Sequence, residues 1–152
     1  MTSNMKPDVI RLTKIHEWAI YILSAIVFLS GMSWLYFYYF VRIEGEYGLQ
    51  IHPLQHTSLV VHGTSALFLL IGLGTVIPIH VVKSWKIKRN RKSGGFFLAL
   101  FALLIVTGIG LYYLGGEFIR NVTSILHWVV GISFPLVLAA HIYFGKKKHD
   151  KG

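Results

Sequence analysis

The segment LHWVVGISFPLVLAAHIYFG, residues 126–145, decides the fold of this chain. It contains no Lys, Arg, Asp or Glu, and it has the length of about 20 residues that a helix needs to cross the hydrocarbon core of a bilayer. Two histidines, His127 and His141, nevertheless lie inside it. Because a polar side chain in an apolar helix costs free energy unless it has a partner, these histidines predict that the segment binds something.

Three further apolar runs without charged residues precede this segment. The four predicted spans cover residues 18–40, 57–79, 96–115 and 123–144. With 54% hydrophobic residues and a mean hydropathy of +0.58, the sequence is too apolar for an ordinary soluble domain. We therefore expect an all-α membrane protein in a single domain, residues 1–152. Short connections make neighbouring helices antiparallel, which predicts an up-down four-helix bundle. The first loop, residues 41–56, contains two glycines and a proline and is expected to be irregular.

The basic residues are distributed unevenly between the two ends of the predicted spans. Of the 15 Lys and Arg residues, only Arg42 and Arg120 lie in the first and third loops. By the positive-inside rule, both termini and the second loop are therefore expected on the cytoplasmic side. Topology accounts for the net charge of +9, so we do not interpret it as a nucleic-acid interface. The absence of cysteine excludes disulfides, iron–sulfur clusters and thiolate ligation of haem.

Topology also sorts the histidines by depth. His62 and His127 lie near the external ends of the second and fourth spans, whereas His16 and His141 lie near the cytoplasmic side. At about 100° per residue, the chain from His127 to His141 turns about 40° less than four full turns, so both lie on one face. Their axial separation is about 21 Å, which predicts one binding site near each interface. The histidines in loops and tails, which we expect to be solvated, are His52, His56 and His149.

Haem is the cofactor that this arrangement fits best. Two neutral imidazoles from different helices can occupy both axial positions of a haem iron, and the macrocycle then lies between facing helices. Depth pairs His62 with His127 at an outer haem b and His16 with His141 at an inner haem b. Zinc fits less well, because it usually requires three or four ligands from one locality and the spans contain neither cysteine nor carboxylate.

His80 is the alternative inner ligand. It shares the face of His62, but a regular helix would place it about 27 Å away, one turn too deep to match the inner ligand of the last span. Pro78 can bend the helix and change that depth. We prefer His16 as the ligand and take His80 and Glu17 as candidate groups for proton or quinone contact. Glu17 also has an ordinary interpretation, as an acid that stabilises the start of a helix.

Hydroxyls and glycines near the histidines are candidate supporting residues. Ser58 and Thr123 each lie one turn before a predicted outer ligand and could orient its imidazole or bind a haem propionate, although both also suit a helix start. Gly131 lies on the face of His127 and would let a macrocycle approach the backbone. Ordinary close packing of helices explains such glycines equally well. The other glycines noted inside the spans are Gly31, Gly72, Gly74, Gly108 and Gly110.

Three stretches resemble one family of membrane cytochromes. RLTKIHEW (residues 11–18) looks like the family's basic start of the first span, and VTGIGLYY (residues 106–113) looks like its Thr-Gly helix motif. The last span has the family's His–13 residues–His spacing and its His-x-Tyr ending. The sequence thus resembles the bacterial four-helix dihaem b-type cytochromes. These include the cytochrome b subunits of respiratory formate dehydrogenase and nickel–iron hydrogenase, and the b561-type cytochromes. The resemblance implies the same two histidine pairs, with His16 as an inner ligand.

The resemblance also implies a function. The chain is expected to transfer electrons across the bacterial inner membrane, between a periplasmic iron–sulfur or c-type cytochrome subunit and the quinone pool, menaquinone or ubiquinone. It would be the membrane-anchor subunit of a respiratory oxidoreductase complex, and quinone redox activity of its own is left open. Two alternatives stay open: a free-standing b561-type quinone oxidoreductase, and a non-haem four-helix membrane protein whose histidines bind metal or protons.

Overall fold

A computed structural model describes residues 13–86 and 91–147 of the chain. Helix accounts for 87% of the structure, so the expected all-α fold is confirmed. Most of the N-terminal tail, the centre of the basic second loop and the end of the C-terminal tail with His149 lie outside the described residues.

Four long helices account for the predicted spans, and each is long and apolar enough to cross a membrane. The chain is therefore a multi-pass membrane protein. A π-helical turn, called the π turn below, and a short helix follow the second long helix. In chain order the helical elements are α1 (Lys14–Phe40), α2 (Pro53–Val76), the π turn (Ile77–Val81), α3 (Val82–Lys86), α4 (Arg91–Tyr113) and α5 (Glu117–Lys147).

The helices begin earlier than hydropathy alone predicted. α2 begins at Pro53 instead of residue 57, and α5 begins at Glu117 instead of residue 123. Hydropathy detects only the apolar part of a helix, whereas capping also stabilises a polar first turn. The His52 ring accepts a hydrogen bond from the backbone N–H of Leu54 at 3.2 Å, and Pro53 suits the first helical position. The outer histidines consequently lie further inside their helices than the sequence suggested.

The first loop is regular, so the expectation of an irregular connection was wrong. It forms a β-hairpin in which β1 (Arg42–Gly45) pairs antiparallel with β2 (Gly48–Ile51). Gly48 follows the turn with a φ of +105°, a conformation that residues with a side chain rarely adopt. The glycines of this loop therefore permit a tight turn between two strands.

Hydroxyl side chains are prominent in the interior of the bundle, and large apolar side chains face outward, as expected of helices surrounded by lipid. Among the residues whose burial the structure describes, the buried apolar ones are Ile20, Leu69 and Phe134. The buried polar residues are Ser30, Gln55, Ser58, Ser65, Thr107 and Thr123. The hydroxyls among them donate to backbone carbonyls one turn earlier on their own helix, as Ser58 does to Leu54 O at 2.7 Å. Small residues with satisfied hydroxyls let helices approach each other closely.

The helices pack in two pairs. α1 packs along α2, α4 packs along α5, and α1 also contacts α5. Histidine rings on α2 and the π turn meet histidine rings on α5. The candidate site therefore lies between the two helix pairs.

Candidate metal centres

The outer pair consists of His62 on α2 and His127 on α5. Their ring centres lie 6.2 Å apart, and the ring planes are nearly perpendicular at 82°. The first residue of α2 is Pro53 and that of α5 is Glu117, so the two histidines lie about 14 and 15 Å along their helices. The structure thus brings together the two histidines that depth alone had paired.

Hydrogen bonds orient both rings of the outer pair. Nδ1–H of His62 donates to the Val27 carbonyl at 2.8 Å, and Ser30 Oγ lies 3.4 Å from the same nitrogen. Nδ1 of His127 lies 2.9 Å from Thr107 Oγ1, whose own proton is donated to Leu103 O at 2.7 Å. With that proton on the carbonyl, Thr107 Oγ1 is left to accept, and we assign the His127 proton to Nδ1 on this basis. In both rings Nε2 keeps the free lone pair that a metal ion requires.

The inner pair consists of His80 in the π turn and His141 on α5. Their ring centres lie 6.4 Å apart with an interplanar angle of 79°, which nearly repeats the geometry of the outer pair. Ser93 Oγ lies 3.3 Å from His141 Nδ1, and the Phe97 ring stacks on the His141 ring with centroids 5.5 Å apart. His141 is therefore held on two sides by α4.

His16, the preferred inner ligand from the sequence, has a different partner. Its Nε2 lies 2.9 Å from Thr75 Oγ1 and 3.2 Å from Gly72 O. Thr75 donates its own proton to Gly72 O at 2.7 Å, so both neighbours accept and His16 Nε2 is the donor. This nitrogen has no lone pair to offer a metal, and the ring instead links the start of α1 to the end of α2. The structure brings His80, and not His16, next to His141.

The π turn accounts for the position of His80. The backbone N–H of Val82 donates to Ile77 O, five residues earlier, in place of the usual four. Pro78 lacks an N–H and cannot take part in a regular helical ladder. A π turn fits more residues into each turn than an α-helix does, so His80 advances less along the axis than the sequence estimate assumed. The one-turn mismatch in depth that argued against His80 came from assuming an uninterrupted α-helix.

The distance between the rings fits an intervening metal. Metal–imidazole bonds are about 2.0 Å long, and each nitrogen lies about 1.1 Å from its own ring centre, so two imidazoles on one iron have centres about 6 Å apart. The pairs at 6.2 and 6.4 Å both match. Within residues 13–86 and 91–147, no cluster of three or more His, Cys, Asp or Glu side chains could hold a metal ion. The site thus suits a metal that needs only two protein ligands, and haem iron is such a metal because the porphyrin supplies the other four nitrogens.

Two buried polar atoms on the helices of the outer pair have no partner among the described residues. Gln55 Oε1 and Trp128 Nε1 make no hydrogen bond in the part of the chain that the structure describes. Trp128 adjoins His127, and Gln55 precedes His62 by two helical turns on the same face. An unsatisfied buried polar group costs about 1–3 kcal/mol, so both atoms would be stabilised by a bound group that brings polar atoms within their reach.

The remaining candidate residues have more ordinary positions. Ser58 bonds to Leu54 O and to Ser33 Oγ at 2.9 Å, and Thr123 donates to Ile119 O at 2.8 Å, so within the described residues neither hydroxyl bonds to a histidine. Glu17 lies in the first turn of α1, where an acid is favourable. Gly131 faces a leucine on α4, not a histidine.

Sequence reasoning missed the groups that do orient the rings. They are Val27 and Ser30 on α1, and Ser93 and Thr107 on α4. The hydroxyls suggested by the sequence, Ser58 and Thr123, lie on the same helix as the predicted ligand. The available signal was the spacing of 14 residues between Ser93 and Thr107, which equals that between the histidines of α5.

Comparisons of the chain with protein-family models, curated proteins and solved structures found no match.

Proposed function

We propose that this chain is a membrane electron-transfer protein that binds two haem b groups, the outer one between His62 and His127 and the inner one between His80 and His141. The observation that carries the proposal is the repeated geometry of the two pairs, with ring centres 6.2 and 6.4 Å apart and nearly perpendicular planes. Perpendicular ring pairs also occur as plain aromatic contacts. Two such pairs, each at the distance of a shared metal and with three of the four Nδ1 atoms next to a carbonyl or hydroxyl oxygen, favour ligation.

The charge distribution supports an orientation for these sites. With both termini and the basic second loop on the cytoplasmic side, His62 and His127 lie toward the outside and His80 and His141 toward the cytoplasm. The contacts of Thr107 with His127 and of Ser93 with His141 support antiparallel α4 and α5, and hence an up-down bundle.

The likeness to the dihaem b-type cytochromes supplies the rest of the proposal. The chain would lie in the bacterial inner membrane and pass electrons between a periplasmic iron–sulfur or c-type cytochrome subunit and menaquinone or ubiquinone. The proposal differs from the family pattern at the inner site. The resemblance assigns this ligand to His16 on the first helix, whereas the proposal assigns it to His80. With His80 as a ligand, Glu17 is the remaining candidate for proton exchange with a quinone near the inner site.

Haem supplies one-electron redox chemistry, and this chain's own residues set the conditions for it. The lipid-facing helices exclude water from both sites and lower the local dielectric constant. The oxygen atoms next to Nδ1 orient the rings of His62, His127 and His141 and would leave Nε2 of each ring for the metal. Phe97 holds the His141 ring by stacking.

An absorbance spectrum of the purified chain, produced with ample haem, tests the proposal. Reduction with dithionite should give the sharp α-band of b-type haem, and a pyridine haemochrome assay should give about two haems per chain. His62→Ala and His127→Ala should each remove the same haem, whereas His56→Ala, an exposed histidine at the start of α2, should remove none. A folded protein without haem would overturn the proposed function.

A further inference from the structure

Three of the four histidines of the two proposed haem sites each face a dipeptide of the same type on a neighbouring helix. In each case a serine or threonine hydroxyl lies next to the Nδ1 atom of the ring, and the glycine that follows it lies against the ring edge. The hydroxyl–glycine dipeptides and their histidines are Ser30-Gly31 with His62, Ser93-Gly94 with His141, and Thr107-Gly108 with His127.

The contact of Thr107-Gly108 with His127 is the best defined. Thr107 is 6% exposed, and its Oγ1 lies 2.9 Å from His127 Nδ1. A Cβ added at Gly108 would lie 3.4 Å from Cε1 of the same ring. The hydroxyl therefore receives the ring proton while the glycine leaves room for the ring edge to pass.

The other two dipeptides repeat this arrangement, with longer distances between the hydroxyl and Nδ1 and with different distances between the glycine and the ring. Ser93 Oγ lies 3.3 Å from His141 Nδ1, and a Cβ at Gly94 would lie 3.9 Å from that ring. Ser30 Oγ lies 3.4 Å from His62 Nδ1, where the Val27 carbonyl is the closer acceptor. A Cβ added at Gly31 would lie only 3.1 Å from the His62 ring.

The two dipeptides on α4 share the register of the histidines on α5. Ser93 and Thr107 are 14 residues apart, as are His127 and His141. Ser93, near the start of α4, lies next to His141 in the second half of α5. Thr107, in the second half of α4, lies next to His127 in the first half of α5. A pair of helices that run in opposite directions at equal rise produces this pairing at both ends. Two matched contacts in one register are difficult to ascribe to ordinary packing of small residues.

We propose that the hydroxyl–glycine dipeptides are the positioning residues of the haem ligands, and that Thr107 and Ser93 set the redox potentials of the outer and inner haem separately. This inference rests on the proposed function. An acceptor at Nδ1 fixes the ring orientation and makes the imidazole a stronger electron donor, which stabilises the oxidised metal. Removing the acceptor therefore raises the potential of the haem that its histidine binds, and of that haem alone.

Redox titrations of single-haem backgrounds separate the two effects. His141→Ala leaves the outer haem, and His127→Ala leaves the inner haem. Thr107→Val in the first background should raise the potential of the outer haem, and Ser93→Ala in the second should raise that of the inner haem. Haem affinity should also fall, by about 10- to 100-fold if these residues behave like other supporting groups of metal ligands. Thr107→Ser, which keeps the hydroxyl, should restore the original potential.

Thr123→Val is the matched control, because Thr123 is also buried and donates to a carbonyl one turn earlier, but its hydroxyl bonds to no histidine in the described part of the chain. It should leave both potentials unchanged. If Thr107→Val keeps its haem at the original potential, the inference is wrong while the proposed function stands. If Thr123→Val shifts the potentials as much as Thr107→Val does, the effect belongs to hydroxyls in general and the inference is also wrong. If the unmodified chain binds no haem, the proposed function itself fails.

Discussion

Replacing Gly31 with alanine tests how tightly α1 confines the outer site. A Cβ at this position would lie 3.1 Å from both Cε1 and Nδ1 of His62. Ordinary contacts between carbon atoms lie at about 3.5–4.0 Å, so the ring would have to move by roughly 0.4–0.9 Å. Metal–ligand distances are defined to about 0.2 Å. The displacement needed is therefore larger than a metal site accepts without losing affinity.

The expected result is selective loss of the outer haem from a chain that remains folded. Alanine is favoured over glycine in a helix by up to about 1 kcal/mol, so the substitution does not weaken α1 itself. We expect the outer haem to be bound about 10- to 100-fold more weakly, with the inner haem unaffected. The effect should be greater than that of Gly108→Ala, where the added Cβ would lie 3.4 Å from the His127 ring.

The assay is the transfer of haem from the purified chain to an excess of a haem-scavenging apoprotein, with the number of haems per chain measured before transfer. Gly74→Ala is the control, because a Cβ at Gly74 would meet no atom within 4 Å in the part of the chain that the structure describes. Equal retention of the outer haem by Gly31→Ala and Gly74→Ala, both folded, would refute the reasoning.

Further predictions concern the inner ligand, a buried donor and the hairpin. His80→Ala should remove the inner haem from the reduced spectrum while His16→Ala keeps it; the opposite result would restore the pairing preferred from the sequence. Trp128→Phe should weaken retention of the outer haem in the transfer assay if the unpartnered Nε1 binds a propionate, and unchanged retention would exclude that contact. Gly48→Ala should lower the melting temperature, because its φ of +105° strains a residue with a side chain, and both haems should stay. A simultaneous loss of haem would mean that the hairpin contributes to the outer site.

The four helices and the outer pair could be predicted because they depend on properties that a sequence displays directly. Membrane spans follow from composition and length. His62 and His127 could be matched because their helices begin at nearly equal distances before them, although both begin earlier than hydropathy indicated. Because both helix starts were predicted too late by similar amounts, the relative depth of the two histidines was still correct.

The sequence named His80 only as the alternative inner ligand, and its preference over His16 could not be predicted because it depends on a local change in helix geometry. One hydrogen bond from Val82 to Ile77 moves His80 off the position that a uniform α-helix would give it. Pro78 indicated an interruption but not its form, since a kink, a break and a π turn all accommodate proline. The first loop shows the same limit, because glycines permit a hairpin turn as readily as irregular chain.

The groups that orient the rings lie on helices other than those of their histidines. A hydroxyl one turn before a histidine on the same helix, such as Thr123, is satisfied by its own backbone. Only the packing of α4 along α5 brings Thr107 to His127. Identifying such contacts requires the register between helices, which one sequence does not provide.

The equal spacing on α4 and α5 has a consequence for how the protein responds to its lipid. Sliding one helix along the other by a single residue, about 1.5 Å, would disturb the contacts at both depths simultaneously. In a thinner or thicker bilayer, the two helices are therefore expected to tilt as a unit. If both proposed haems are bound, the number of residues between the two sites would then set the distance between the irons, and the rate of electron transfer between them should vary little with the acyl-chain length of the membrane.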